Sequence, residues 1–150
     1  MKITLITVSY NSAATIGDTL RSVAEQTHPD IEHIVIDGGS KDGTLDIVRE
    51  QGQRVSLCVS EPDRGIYDGM NKGLRRASGE FVGFLNADDV LADPEAIARM
   101  ASLLERSPQA DALYADLVYV KADDLRAVVR HWHSGVFARA SLRRGWMPPH

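Results

Sequence analysis

Asn86-Ala87-Asp88-Asp89 sets two adjacent carboxylates directly after the apolar run from Phe81 to Leu85. Neighbouring carboxylates repel, and that cost needs an offset. A divalent cation supplies one. Oxygen ligands of this kind select Mg²⁺ or Mn²⁺, above all when a substrate diphosphate completes the shell. The alternative is a hydrogen-bonded turn leading to Asp93. Asp37 ends another apolar run and is followed by Gly38-Gly39-Ser40-Lys41-Asp42-Gly43-Thr44. A carboxylate accepts from N–H groups, so at a nucleotide site it suits uracil, thymine or guanine over cytosine. The glycines permit positive φ and a close approach of backbone to ligand. A plain turn with an Asx cap fits the same residues. A third charged cluster runs from Ser60 through Glu61, Asp63, Arg64 and Tyr67 to Asp68. Asp63 and Arg64 either cap the next helix and pair with one another, or Arg64 offers its planar fork to a base or phosphate.

Other chemistries find little support. Ser9-Tyr10-Asn11-Ser12 follows the first apolar run, and no glycine comes before Gly17. That spacing fits neither a dinucleotide-binding G-x-G-x-x-G turn nor a Walker loop. No G-x-S-x-G nucleophile elbow is present. His131 and His133 alternate along a strand and face one side, but without an evident third ligand they read as a surface pair. Cys58 is the single cysteine, so no internal disulfide forms, and its place inside an apolar run reads as core.

The elements that position these residues alternate regularly. Residues 3–8, 31–36, 55–59 and 81–85 are short β-branched or apolar runs that read as strands. Between them lie helical patterns. Ser12 caps a helix with the stripe Ile16, Leu20, Val23 and Ala24, and a short helix carries Leu45, Ile47 and Val48. Residues 66–77 form a helix carrying Met70 and Leu74. Asp93-Pro94 starts a helix through Ile97, Met100 and Leu104. Residues 112–120 and 125–132 read as two antiparallel strands joined at Ala122-Asp123-Asp124. Four strand–helix units predict an α/β fold, a mostly parallel sheet with helices on both faces, in a single domain over 1–150. In such sheets ligands bind at the carboxyl ends of the strands, where all three carboxylate clusters fall.

Composition narrows the class further. The chain is 43% apolar and 25% charged, with no low-complexity tract, which is the balance of a globular domain. No apolar run reaches the ~20 residues a bilayer requires, and no signal-peptide pattern precedes the first strand; both point to a cytoplasmic protein. Five of the 17 basic residues, Arg126, Arg130, Arg139, Arg143 and Arg144, fall after residue 124, where no acidic residue occurs. The preceding region is therefore strongly acidic, a poor nucleic-acid binder suited to cations or to metal-bridged polyanions. The basic end suits an anionic membrane surface or remains a solvated face.

Taken together, Val8-Ser9-Tyr10-Asn11, Ile36 through Thr44, Ser60 through Gly73 and Phe84 through Asp89 resemble the signature of family 2 glycosyltransferases. The likeness is to the bacterial branch that builds colanic acid and other cell-surface polysaccharides, over roughly residues 1–120. The resemblance implies a GT-A fold and transfer of a sugar, with inversion, from a UDP-, dTDP- or GDP-linked donor to a hydroxyl of a sugar or lipid-linked acceptor. It implies that Val8 and Tyr10 line the nucleobase pocket, that Asp37 holds the base ring N–H, and that Asp63 and Arg64 lie beside base and ribose. Asn86-Ala87-Asp88 takes the place of the family's D-x-D motif, so Asp88 and Asp89 serve ribose and metal. The family's catalytic base is expected beyond His150, which makes residues 1–120 a donor-binding part and 121–150 an incomplete acceptor-side part. A nucleotide-sugar-binding fragment without catalysis is the alternative. Trp132, Phe137, Trp146 and Met147 read as core without its partner segment, which predicts self-association, as a homodimer or by aggregation.

Overall fold

The computed structural model describes residues 1–143 and 145, so the expectations placed on Arg144, Trp146, Met147 and His150 lie outside the described residues. Two compact units divide the chain, Met1–Ser107 and Pro108–His150.

In the first unit the β-branched runs form β1 (Ile3–Ser9), β2 (Ile31–Asp37), β3 (Val55–Ser60) and β4 (Phe81–Phe84). They make one parallel sheet in the order β3-β2-β1-β4, with Ile3 opposite both Ile31 and Phe81. The helices are α1 (Ile16–Ala24), α2 (Thr44–Gln51), α3 (Ile66–Leu74) and α4 (Ala96–Arg106). Strand side chains alternate between faces. Ile3 and Leu5 therefore pack with Val23 of α1 and Ile97 and Ala101 of α4, while Val35 packs with Ile16, Leu20 and Val48 of α1 and α2. Ile6, Ile34 and Ile36 point the other way, toward Val59 and Ala77 on the α3 side. Each fully buried isoleucine contributes about 1.5–3 kcal/mol relative to exposure. His33 shares this interior at 0% exposure, with Nε2 2.9 Å from Thr7 Oγ1 and burial lowering its pKa to about 4.

Several local features differ from the sequence reading. α3 ends at Leu74 rather than at residue 77; Leu74 is exposed, and the face seated on the sheet is Gly69 and Gly73. Ser12 does not cap α1 with its hydroxyl, which bonds the carbonyl of Tyr10; the Ser12 carbonyl instead accepts from Ile16 N. α4 begins at Ala96 because its Ile97 amide is capped by Gln26 Oε1 at 3.0 Å, while Asp93 accepts from Glu95 N one turn earlier. Cys58 is exposed rather than core, since β3 is an edge strand with one uncovered face.

The amino ends of the strands carry a polar clasp. Glu32 accepts from Thr4 Oγ1 at 2.6 Å, Ser78 N at 2.8 Å, Ser78 Oγ at 2.6 Å and Lys2 Nζ at 3.1 Å. Burial opposes its charge, yet these donors win and hold its pKa down to about 2.

The second unit is a hairpin of β5 (Leu117–Lys121) and β6 (Asp124–Trp132), followed by the short α5 (Arg139–Leu142). The first strand starts at Leu117, not Ala112, because Tyr114 and Asp116 bond across to the segment after β6. Asp116 accepts from Ser134 N at 2.8 Å, Ser134 Oγ at 2.7 Å and His133 Nδ1 at 3.0 Å, and these bonds lower its pKa to about 2. Tyr114 Oη donates to the Gly135 carbonyl at 3.0 Å. The His131 and His133 rings stack at 5.9 Å, and His133 is committed to a carboxylate.

Candidate functional site

The carboxyl ends of β1, β2 and β3 meet at Asp37. Its side chain is buried at 0% exposure and receives five donors. Oδ1 accepts from Ser9 Oγ at 3.2 Å and from Ser40 Oγ, while Oδ2 accepts from Gly39 N at 3.0 Å, Ser40 N at 2.9 Å and Ser60 Oγ at 2.7 Å. Burial raises the pKa of this carboxyl, but the hydrogen bonds from Ser40, Ser60 and Gly39 outweigh it and leave the pKa below the usual range. Asp37 is thus ionised and ties three strand ends together.

The loop after β1 is laced to the loop after β2. Asn11 adopts φ 49°, the left-handed region that asparagine tolerates. From there its Oδ1 accepts from Lys41 N at 3.0 Å and its N donates to Ser40 Oγ at 2.7 Å. Ser12 N donates to Thr44 Oγ1 at 2.8 Å, and Ala13 N to Asp42 Oδ2 at 3.0 Å.

Asp63 lies over Gly38. Its Oδ1 accepts from Gly65 N at 2.9 Å, and its Oδ2 sits 2.8 Å from where a Cβ on residue 38 would stand. The same oxygen is 3.5 Å from the corresponding position on Gly69, which presses against Val8. Val8, Gly38, Asp63 and Gly69 therefore enclose one notch. Lys72, only 9% exposed, fixes the preceding turn by donating to the Pro62 carbonyl at 2.9 Å and pairing with Glu61 at 3.1 Å. Arg64 does not pair with Asp63; its exposed guanidinium lies 3.8 Å from Asp68. Tyr10 stands 66% exposed at the end of β1.

Val8 also lines a cleft of about 490 Å³ with Asn11, Ser12, Ile66, Asn86 and Asp88. Asn11 and Asn86 enter the sequence reading only as members of their motifs, without a role of their own, and Ser12 and Ile66 are not read there as site residues. The two carboxylates of Asp88 and Asp89 part company here. Asp89 Oδ2 accepts from Asn86 Nδ2 at 3.1 Å, and the Asp89 carbonyl accepts from Thr19 Oγ1 at 2.8 Å. Asp88 faces the cleft. No trio of His, Cys, Asp or Glu able to hold a metal occurs among the described residues. A Mg²⁺-type ion needs only one or two carboxylates when phosphate oxygens complete its shell, so Asp88 beside a diphosphate-sized cleft fits one. A second cleft, about 410 Å³, opens beside β3 between Val48, Val55 and Cys58 and holds no carboxylate.

A parallel sheet with its polar residues gathered at the carboxyl edge is shared by many nucleotide-binding proteins, so the fold alone does not decide among them. The family model described as Glycosyl transferase family 2 matches residues 4–147. The chain belongs to glycosyltransferase family 2. Its sequence is 36% identical over 118 residues to a PGL/p-HBAD biosynthesis glycosyltransferase of Mycobacterium bovis (strain BCG / Pasteur 1173P2), covering 76% of this chain and 46% of that protein. The crystal structure of S. aureus TarS 1-349 in complex with UDP-GlcNAc superposes with a TM-score of 0.66 at 32% identity, over 71% of this chain and 32% of that 1-349 chain. The mannosyltransferase PcManGT of Pyrobaculum calidifontis, in complex with GDP-Man and Mn²⁺, gives 0.65 at 28% identity, over 83% of this chain and 37% of its own. The family 2 chain thus has the GT-A arrangement and spans under half the length of these relatives. No helix among its described residues is long and apolar enough to cross a membrane.

Proposed function

We propose that this chain forms the donor-binding part of an inverting glycosyltransferase, one that moves a sugar from a nucleoside-diphosphate donor to a hydroxyl acceptor in surface polysaccharide or glycolipid assembly. The observation that carries the reading is the cleft between the ends of β1 and β4, with Asp88 on its wall and the Asp63 notch joined to it through Val8.

In this reading the diphosphate lies in the cleft, and Asp88, with Asp89 behind it, holds a Mg²⁺ or Mn²⁺ ion. When bound, such an ion neutralises charge on the departing diphosphate. Val8, Tyr10, Asp37, Asp63 and Arg64 form the nucleoside side. The exposed Tyr10 ring offers a stacking face. The exposed Arg64 fork suits ribose or phosphate oxygens. The acceptor is a sugar or lipid-linked glycan, and the arginines of the second unit suit contact with the inner face of a membrane. Exposed Val136 and Phe137 support self-association, which sedimentation at rising concentration tests.

Calorimetric titration of UDP, dTDP, GDP and CDP into the chain, with and without Mn²⁺, tests the donor site. Binding that strengthens with Mn²⁺ supports it. A folded chain that binds none of the four overturns it.

A further inference from the structure

Resting on the reading that the acceptor is a glycan, we propose that Tyr119, Arg130 and Trp132 form a clip for an acceptor sugar that carries an anionic group, a carboxylate or a phosphate. The clip lies wholly on the β5–β6 hairpin. Tyr119 and Arg130 stand directly opposite across the ladder, and Trp132 follows Arg130 by two residues. All three side chains therefore leave the hairpin on one face. The Arg130 guanidinium carbon lies 5.5 Å from the centre of the Tyr119 ring and 5.6 Å from that of the Trp132 ring. Both rings stay open to solvent, at 42% and 37% exposure.

The guanidinium is held in place while its donors are unspent. Arg21, Arg49, Arg64 and Arg99 each face an aspartate, whereas Arg130 forms no ion pair among the described residues. Asp116, the acid just before β5, is already taken by Ser134 and His133. Contact with a ring uses the flat face of a guanidinium and leaves its in-plane N–H groups pointing outward. Those groups match the paired oxygens of a carboxylate or phosphate.

The rings supply the remainder of the site. Tyrosine, tryptophan and arginine are the residue types in which binding energy concentrates. An exposed aromatic face suits the C–H face of a sugar ring, whose hydroxyls stay in water. Residues 125–150 hold five arginines and no acid, so the local field favours an anion. Three side chains are far less than the ~800 Å² that a protein partner covers, which favours a small ligand. A membrane surface fits this face less well, because the exposed Val118 and Val128 lie on the other side of the hairpin, away from Arg130.

The test follows the indole N–H signal of Trp132 by nuclear magnetic resonance, assigned through Trp132→Phe, as D-glucuronate, D-glucose 6-phosphate and D-glucose are titrated into the isotope-labelled chain. The variants Arg130→Gln and Arg126→Gln are first shown to be folded by circular dichroism. The expected result is that an anionic sugar moves the signal at a concentration about tenfold or more below that of glucose. The stronger of the two anionic sugars identifies the anionic group. Arg130→Gln brings both to the level of glucose, while Arg126→Gln, on the same strand but over neither ring, keeps the preference. A parent without the preference overturns the inference. So does an Arg130→Gln variant that keeps it, or an Arg126→Gln variant that loses it equally, since a general positive field then suffices. Phosphatidylglycerol vesicles that sediment the chain through Arg130, while no sugar moves the signal, overturn it in favour of a membrane contact. UDP with Mn²⁺, titrated into the same samples, reads the donor site separately. A chain that binds UDP but prefers no anionic sugar loses this inference alone, and one that binds anionic sugar but no nucleotide loses the donor-site reading alone.

Discussion

Gly73 of α3 rests directly on Ile6 of β1, so closely that a Cβ on residue 73 would stand 2.5 Å from Ile6 Cγ2. One turn earlier, Gly69 meets Val8 Cγ1 at 2.6 Å in the same sense. The helix is seated by missing side chains, and this places Asp63, at its entrance, above Gly38.

Replacing Gly73 with alanine sets two effects against each other. Alanine favours the helix by about 1 kcal/mol over glycine. Overpacking against a fully buried isoleucine costs about 1–3 kcal/mol. The clash is with the central strand and has nowhere to relax, so we expect a net loss of about 1 kcal/mol or more. Urea unfolding measures it, and an unchanged or raised midpoint contradicts the seating.

Asp37→Asn keeps shape but gives five donors one neutral oxygen and an amide that repels them. Loss of charged hydrogen bonds and unsatisfied buried donors together cost about 2–3 kcal/mol at neutral pH. The native carboxyl is held below its usual range, so its stabilisation is present above the unfolded value near 4 and is lost as pH falls through the native one. The gap between parent and variant in urea midpoint must therefore close on acidification. A gap that is constant from pH 7 to pH 3 speaks against the network.

Glu32 gives a second acid-sensitive contribution, far from the cleft. With its pKa at about 2 in the folded chain, its stabilisation is complete above about pH 4.5 and disappears toward pH 2. Glu32→Gln should flatten the parent's loss of stability in that window, leaving Asp116 as another contributor to the same range. Thermal unfolding from pH 6 to pH 2 reads the difference between the two proteins, and identical profiles refute the assignment.

The two adjacent acids should separate functionally. Asp88→Ala removes the carboxylate that faces the cleft, and the Mn²⁺-dependent part of nucleotide binding is expected to vanish. Asp89→Ala removes an oxygen already bonded to Asn86, while its carbonyl bond from Thr19 survives in any residue. Its effect on Mn²⁺-dependent affinity is expected to be the smaller, within about tenfold of the parent. Calorimetry of both variants decides, and the reverse order assigns the ion to Asp89.

The architecture was legible because alternation of β-branched runs with 3.6-residue stripes depends on neighbours close in sequence. What stayed hidden depends on neighbours far away. Cys58 reads as core from its own strand, and only the strand order makes that strand an edge. The start of α4 is decided by Gln26, which lies 71 residues from the amide it caps. Met70 and Leu74 have the spacing of a helical stripe, but close approach to β1 selects the residue before each of them, Gly69 and Gly73. Asp37 and Asp63 both announce carboxylates at strand ends. Their different surroundings, one buried under five protein donors and one bonded to Gly65 N above Gly38, arise from Ser9, Ser60 and Gly38 on three separate segments.

The strand order also bears on how the chain is made. β1 lies between β2 and β4, and its second neighbour is not synthesised until residue 84. While the ribosome is still producing α2 and β3, one side of β1 therefore carries bare amides and carbonyls, a template for pairing with another nascent chain. Pairing across so long a loop is intrinsically slow. Chaperone dependence during translation should accordingly fall away once β4 has cleared the exit tunnel.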